Sequence, residues 1–536
     1  MKDVRPLGEV RRGLLAAAVA ALEAGRFAEA ESQAAAWEAH DPLDLDAMLL
    51  RGLALAAQGA CAAAAPLLQA VAAARPGFAH PCRDLATLLP DVPHLVAEQF
   101  RACRRLAPES PLLALAYADF LRDHGRPAAA AAVLRQLLRR TPRLGAAQKL
   151  YGMALLDLGE PAAAIAALRR ASECDPDDAA GWSNLGIALK IEGAFADAFA
   201  AHDRAVMLAP ADAQIRLNRA VARLRAGDMA AAWPDYEYRL RLAATPRLPL
   251  ARLLPSIDSL PDLNGETVLV WHEEGFGDTL QFARYLPLLA ARGARVLAYV
   301  PAELARLFAT LDGVAAVLTL PAPIPAHDWH CPFFSLPRAC ATTLQTIPAA
   351  IPYLRADPDT MAEWAPHLPE DGLRVGLVWA GQARPWLPGF ATLDTNRSTS
   401  LATLAPLGTL PGVSLVSLQT GAPAAQAHAL PPGMILADPM AGVADFADTA
   451  AIVAHLDVVV SVDTAVAHLA GALGTPVFLL DRYDSCWRWL AGRDDSPWYP
   501  SLRIFRQPRM GDWAPVVGQV AAALAMLADR MGQLPL

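Results

Sequence analysis

Cysteine is scarce in this sequence and follows no pattern. Seven cysteines are spread over 536 residues: Cys61, Cys82, Cys103, Cys174, Cys331, Cys340 and Cys486. Their number is odd, their spacings are wide and no C-x-x-C occurs, which argues against a disulfide framework or a zinc site. Buried thiols in a reducing, cytoplasmic compartment are the expectation. Excess positive charge is lacking too. The net charge is −8 with 19% charged residues, so no nucleic acid is expected as partner, because a phosphate backbone needs a basic surface. A local basic pocket for a diphosphate stays compatible with that balance. No run reaches the ~18 uninterrupted apolar residues of a membrane span. Residues 13–22, after Arg11 and Arg12, could pass for a secretory leader. They run on into Glu23-Ala24-Gly25-Arg26-Phe27 with the spacing of a helical hairpin, which is the preferred reading.

What is present is a globular composition, 54% hydrophobic, in a chain long enough for several domains. The first half repeats itself. Gly186, Gly193, Ala198, Ala205 and Pro210 follow Gly181-Trp182-Ser183-Asn184-Leu185, and a shift of 34 residues brings Gly152, Gly159, Ala164, Ala171 and Pro176 into register. A second shift finds Ala118, Gly125, Ala130, Leu137 and Pro142. A small residue at a helix crossing, a turn glycine and a closing proline at one period fit the tetratricopeptide pattern. Looser units are marked by Gly25, Ala30 and Pro42 and by Gly52, Gly59, Ala64 and Pro76; the stretch ending at Pro108 lacks the turn glycine, and Gly227 with Ala232 suggests a final unit. The expectation is a superhelix of roughly six or seven repeats over residues 1–244. Stacked hairpins leave a concave groove suited to an extended peptide; a spacer or a dimerisation module is the alternative, and the sequence leaves a homo-oligomer open.

Near residue 245 the composition changes. Pro246, Pro249, Pro255 and Pro261 punctuate a linker, 245–264. Short β-branched runs then alternate with helical stretches, which predicts parallel sheets covered by helices. Strands are expected at 267–271, 295–300 and 314–319, then at 374–379, 413–418, 457–462 and 477–480. The expected architecture is a tetratricopeptide solenoid followed by an α/β GT-B fold. Its two Rossmann-like domains span 265–357 and 373–510, and a C-terminal helix, 511–536, is expected to cross back to the first. Ligands of such sheets bind at the carboxyl ends of the strands.

Three motifs could carry chemistry. The first, Trp271-His272-Glu273-Glu274-Gly275-Phe276-Gly277-Asp278-Thr279, leaves a strand, turns on Gly275 and Gly277 and enters a helix. It is no dinucleotide fingerprint, since Leu280 stands where a third glycine belongs. Asp278 is either a helix cap or a carboxylate aimed at a cleft to take a proton. Glu273, Glu274 and, less so, His272 are rivals for that role. The second, Ser461-Val462-Asp463-Thr464-Ala465-Val466-Ala467-His468, reads strand, turn, helix. Free N–H groups at that helix start suit a diphosphate, and Thr464 adds a hydroxyl. Asp463 carries the wrong charge for phosphate and suits a sugar hydroxyl. His468 either reaches a phosphate or ribose or is a satisfied core ring. The third, Thr395-Asn396-Arg397-Ser398-Thr399-Ser400, reads as a long polar loop before a helix. Arg397 there could meet a leaving diphosphate or only make surface pairs. Trp487, Trp489, Trp498 and Tyr499 form either a ligand wall or a hinge-side core.

Gly277-Asp278 and the string from Asp463 to Leu469 together resemble the ADP-heptose lipopolysaccharide heptosyltransferases, over roughly residues 265–530. With repeats in front, the chain resembles bacterial repeat-bearing glycosyltransferases and is similar in layout to O-GlcNAc transferases and flagellin glycosyltransferases. The resemblance implies that Asp278 is the general base, that Asp463 contacts donor-sugar hydroxyls, that Thr464 and Ala465 form the diphosphate turn, and that His468 lies near the donor. Ala465 stands where that family usually has glycine, and Arg397 falls only in the region of a phosphate-binding lysine. The expected function is metal-independent, inverting transfer from a nucleotide-sugar, used as substrate with no further cofactor, to a protein serine or threonine presented by the repeats. A glycan or lipid acceptor and a non-catalytic scaffold are the alternatives.

Overall fold

The computed structural model describes residues 7–58, 60–74, 110–242, 248–259, 262–382 and 390–532. Gly59, Pro76, Pro108, Cys82, Cys103, Pro246 and Pro261 lie outside them, as does part of the expected linker. The chain forms two compact units, residues 1–184 and 185–536.

The first unit is made of helical hairpins: α1 (Leu7–Glu23) with α2 (Phe27–Glu38), α3 (Leu45–Ala57) with α4 (Cys61–Ala74), α5 (Pro111–Asp123) with α6 (Pro127–Arg140), and α7 (Gly145–Asp157) with α8 (Pro161–Cys174). Three glycines show why the pairs pack closely. A Cβ on Gly52 would meet Leu68 at 2.9 Å, and one on Gly152 would meet Leu168 at 2.5 Å; in the second unit one on Gly186 would meet His202 at 2.6 Å. Each partner lies sixteen positions on, so the small residue marks the crossing of these three hairpins. The turn glycines Gly125, Gly159, Gly193 and Gly227 all have positive φ, between 68° and 88°, a conformation that costs an L side chain roughly 1 kcal/mol or more. Prolines open α5, α6 and α8, where the missing N–H costs nothing. Ala30, Ala34, Ala130, Ala164 and Leu168 are buried on the facing sides.

The division between units falls inside α9 (Ala179–Ile191), upstream of the repeat boundary near residue 244 that the composition suggests. The last repeat helices, α10 (Phe195–Leu208), α11 (Ala213–Ala226) and α12 (Met229–Tyr236), belong to the second unit. The reason is packing. Ala220, Leu224, Met229, Trp233 and Tyr236 share one buried cluster with the α/β lobes, and the Trp233 indole donates to the Thr342 carbonyl at 2.7 Å.

The first lobe carries β1 (Thr267–Trp271), α13 (Phe276–Phe282), α14 (Leu286–Ala291), β2 (Arg295–Val300), α15 (Ala302–Phe308), β3 (Val314–Thr319), β4 (Trp329–Pro332) and α16 (Leu336–Ala339). Its sheet is parallel, in the order β3-β2-β1-β4. After α17 (Pro358–Trp364) the second lobe runs β5 (Leu373–Val378), α18 (Phe390–Arg397), β6 (Val413–Ser417), β7 (Leu436–Ala437), α19 (Phe446–Val453), β8 (Val458–Val462), α20 (Ala465–Leu473), β9 (Val477–Asp481), β10 (Leu502–Arg506) and α21 (Ala514–Gly532). Its sheet is also parallel, in the order β10-β9-β8-β5-β6-β7. Central strands of this kind read as continuous apolar runs because both faces are covered; β8 is buried at all its positions. The strand order turns back at β1 in one lobe and between β5 and β8 in the other, so each lobe has a switch point at its carboxyl edge.

Two expectations are corrected here. The C-terminal helix does not cross back to the first lobe: Val516, Val517, Val520 and Leu524 are buried with Val375, Leu377, Val460 and Leu480 of the second sheet. Residues 395–397 are not loop but the last turn of α18. Arg306 of α15 pairs with Asp445 and Asp448 at the start of α19, which pins one lobe to the other.

Candidate functional site

Both switch points produce the same local motif, a strand that ends in a sharp turn and a helix start. In the first lobe β1 is buried from Val268 to Trp271 and delivers His272 to Asp278 at the sheet edge. Gly275 is the N-cap of α13, and Asp278, three residues in, accepts the Gly275 N–H on Oδ2 at 3.1 Å. Its other oxygen, Oδ1, takes an ion pair from Arg488 of the second lobe. Asp278 is therefore both a helix-start residue and a group facing the opposite lobe.

In the second lobe Thr464 is the N-cap of α20, and Ser461 Oγ lies 3.0 Å from its hydroxyl. Residues 463–466 are partly exposed, whereas Ala467 to Ala472 are buried. The open start of a nine-residue helix offers unpaired N–H groups and the positive end of its dipole. The two turns touch. A Cβ on Gly277 would lie 2.8 Å from His468 Cδ2 and 3.2 Å from Ala465 Cα. Glycine is required at Gly277 by this close approach; its φ is not in the left-handed region.

His468 faces inward. Its ring is 4% exposed, stacks on Trp489 with centroids 5.2 Å apart, and shares a hydrogen bond with Tyr499 Oη at 3.0 Å through Nδ1. Nε2 is 4.0 Å from Asp463. Burial lowers its pKa to about 3, so the ring is neutral. Of the two readings of this histidine, the structure gives the core ring. The same holds for the aromatic cluster: Trp487, Trp489, Trp498 and Tyr499 are all buried. Trp487 stands edge-on to Trp233, Tyr236 and Trp498, and Trp498 to Phe282. These rings form the joint of the last repeat and both lobes.

The rival groups on the first turn are separated by burial. Glu273 is paired with Arg239 at 2.7 Å, and that guanidinium also reaches Glu237 and Ser335. Burial raises the Glu273 carboxyl to about 7 against the pull of Arg239. His272 has Nδ1 2.7 Å from the Thr279 hydroxyl, and burial lowers it to about 4. Glu274 is exposed. Arg397 ends α18, pairs with Asp394 at 2.9 Å and donates to the Gln382 carbonyl at 2.9 Å. It lies against Gly381, just beyond β5, on the edge that also carries the α20 turn.

Sequence reasoning offered Arg397 and missed two further cations of the site, Arg488 and Arg239. Arg488 donates to Gln281 Oε1 at 2.9 Å and to Asp278, and lies over the Phe334 and Trp487 rings. Burial opposes its charge, but Asp278 outweighs that and holds the guanidinium protonated. Its signal was an arginine inside the tryptophan run. Arg239 gave none, because it sits past the last repeat, far in sequence from Glu273. Among the described residues no group of three or more His, Cys, Asp or Glu side chains could hold a metal ion, and no helix is long and apolar enough to cross a membrane.

Comparison with known proteins supplies the family context. A tetratricopeptide-repeat model matches residues 15–77, 115–179 and 151–210. The model of glycosyltransferase family 9 (heptosyltransferase) matches residues 414–507. The protein FlbA of Caulobacter vibrioides is 30% identical over 339 residues, 56% of this chain and 53% of FlbA. The chain thus spans about half the length of that relative. Among solved structures, an O-GlcNAc transferase mutant of Thermobaculum terrenum is 16% identical, covering 77% of this chain and 86% of that one, with a TM-score of 0.25. MamA of Desulfovibrio magneticus is 19% identical, covering 30% of this chain and 92% of that one, with a TM-score of 0.27. The chain is thus similar to tetratricopeptide-repeat proteins within residues 15–210 and to family 9 glycosyltransferases over residues 414–507.

Proposed function

We propose that the chain transfers a sugar from a nucleotide-sugar to a serine or threonine hydroxyl of a polypeptide. The observation that carries this reading is the meeting of the two turns at Gly277 and Ala465, with the Asp278 carboxylate on one side and the open start of α20 on the other. The donor diphosphate is taken by the N–H groups of α20 and the Thr464 hydroxyl, with Arg397 as a fixed positive charge on the neighbouring strand end. Asp463 accepts hydrogen bonds from sugar hydroxyls.

The acceptor oxygen attacks the anomeric carbon as the bond from that carbon to the diphosphate oxygen breaks. The bonding pair leaves with the diphosphate, where the helix start and Arg397 stabilise the developing charge. Asp278 receives the acceptor proton on Oδ2, its Oδ1 being held by Arg488. One displacement inverts the anomeric centre, and no step is assigned to a metal. The tetratricopeptide repeats supply the polypeptide, and the scattered thiols suit a cytoplasmic setting. A second reading, heptosyl transfer to a glycan or lipid, draws on the family 9 match over residues 414–507. A decayed scaffold has against it the intact Asp463-Thr464 turn.

The test is a panel of UDP-, ADP-, GDP- and CMP-sugars followed by thermal melting. A true donor at a hundred times its dissociation constant adds about 2.7 kcal/mol. The stabilising donor is then incubated with a serine-rich polypeptide and the product weighed. One sugar mass on the polypeptide, with inverted anomeric configuration by NMR, is expected. Transfer to a lipid or glycan but never to polypeptide would establish the second reading instead.

A further inference from the structure

Between two buried tryptophans, Trp487 and Trp489, the chain places an arginine that is itself 8% exposed. A guanidinium so enclosed is costly unless it is bonded and paired. The bonds of Arg488 come from both lobes. Nε donates to Gln281 Oε1 of α13 at 2.9 Å, and Nη1 donates to Cys486 Sγ at 3.0 Å. The guanidinium lies 4.7 Å from the centre of the Trp487 ring and 5.1 Å from that of Phe334, which follows β4 in the first lobe. These four contacts fix the group before its ion pair with Asp278 is counted.

The carboxylate is held less firmly by its own surroundings. Asp278 lies three residues into α13, where its helix offers it the Gly275 N–H, 3.1 Å from Oδ2. That bond by itself describes a helix cap. Nη2 of Arg488 takes the other oxygen, Oδ1. Asp278 and Gln281 are three positions apart, one above the other on one face of α13, so a planar fork meets both acceptors at once. A lysine, as a compact point charge, lacks that fork. The orientation therefore runs from the arginine to the acid.

We propose that Arg488 is a positioning residue of the transfer reaction: it draws Asp278 out of a pure capping role and presents Oδ2 to the acceptor hydroxyl. This rests on the transferase reading of the site. The base of the first lobe is then completed by the second. A neighbouring cation also favours the ionised carboxylate, so transfer persists to lower pH than it does without the arginine. The other titratable or charged groups around Asp278 are Tyr236, the paired Glu273 and Arg239, and Asp463 and His468 of the second turn. All of them stay in place in the variants below, so differences from wild type report the pair.

The test compares Arg488→Gln, Arg488→Lys and Gln281→Met in the full chain. Arg488→Gln should lower kcat on the order of 10²-fold with the donor KM within about twofold. It should also move the acid limb of the kcat/KM profile up by about one pH unit or more. Arg488→Lys returns the charge without the fork, so the acid limb should return to its wild-type place while kcat recovers in part. Gln281→Met removes the Nε anchor and leaves the ion pair, and since Gln281 Nε2 has no partner little else is lost. A smaller fall in kcat with an unmoved acid limb is expected. Wild-type kcat or an unmoved limb in Arg488→Gln overturns the proposal. Asp278→Asn separates the two claims. If it transfers sugar at the wild-type rate, the base reading itself fails. If it is inactive while Arg488→Gln behaves as wild type, the positioning role alone fails. Urea melts read the pair without any transfer: the two substitutions together should cost less than the sum of their separate losses, and strictly additive losses also overturn the proposal.

Discussion

The two strand–turn–helix junctions share a shape and differ in charge. The first lobe's turn is rich in carboxylates, and each of its inward ones is held by an arginine from elsewhere: Asp278 by Arg488 of the second lobe, Glu273 by Arg239 beyond the last repeat. Among the described residues the second lobe's turn has no arginine ion pair of that kind. Its histidine is neutral and stacked, and its N–H groups face the opposing turn. A positive helix end needs no partner until an anion arrives, whereas a buried carboxylate does. One turn is therefore finished by the rest of the chain and the other is left for a ligand. The segment that ends the repeats is tied to both lobes as well, Arg239 through Glu273 of the first turn and Trp233 and Tyr236 through the Trp487 ring.

The largest effect should come from removing the charge that distinguishes the first turn. Asp278→Asn keeps size and hydrogen-bonding capacity but cannot take a proton. Sugar transfer, measured as kcat/KM, should fall by about 10²–10⁴-fold, with donor-induced thermal stabilisation retained. Full activity in this variant would remove Asp278 from the chemistry and move attention to Glu274. Next comes the contact that joins the turns. Gly277→Val places a side chain where His468 and the Ala465 backbone already are. Pushing the turns apart by an ångström should cost on the order of 10²-fold in transfer. Gly275→Ala, whose Cβ would meet only the movable Asp278 carboxylate at 3.1 Å, is the control that should change little. Equal loss in both variants would show that the turn's flexibility matters and not its approach to α20.

Much of this was legible in the sequence because its signals are local. The 34-residue spacing of turn glycines reflects a backbone requirement repeated at every hairpin, and Gly125, Gly159, Gly193 and Gly227 meet it with positive φ. The apolar runs at 267–271, 295–300 and 458–462 are central strands buried at every position past the first residue, so composition alone marks them. Trp329–Pro332, Leu436–Ala437 and Leu502–Arg506 escaped notice, being short or edge strands with proline, histidine or arginine in them. The candidate residues the sequence offers are those a motif carries, Asp278 and Asp463 to Ala465, and the structure brings the two motifs into contact. His468 was left between two roles, since nothing in its own helix shows that Trp489 and Tyr499 enclose it. Arg239 and Arg488 depend on contacts across long stretches of chain, which no periodicity encodes.

The smallest expected effect concerns a second thing the two turns share, a neutral histidine in each, half-buried at His272 and buried at His468. His272 and His468 are lowered by burial to about 4 and about 3, and His202 in the last repeats to about 3. Unfolded, each would titrate near its ordinary value of about 6.5. Between about pH 6.5 and 4 the unfolded chain therefore binds protons that the folded one refuses, and stability falls as pH falls. Each ring contributes a slope of up to about 1.4 kcal/mol per pH unit. His468→Phe, which keeps the stack on Trp489 and gives up the Tyr499 hydrogen bond, should lower stability at pH 7.5 while flattening the acid slope by that amount. Urea melts of wild type and variant at pH 7.5, 6 and 5 measure both. An unchanged slope would mean that the ring is protonated in the folded protein, and a charged imidazole beside Asp463 would make the second turn electrostatically closed, like the first.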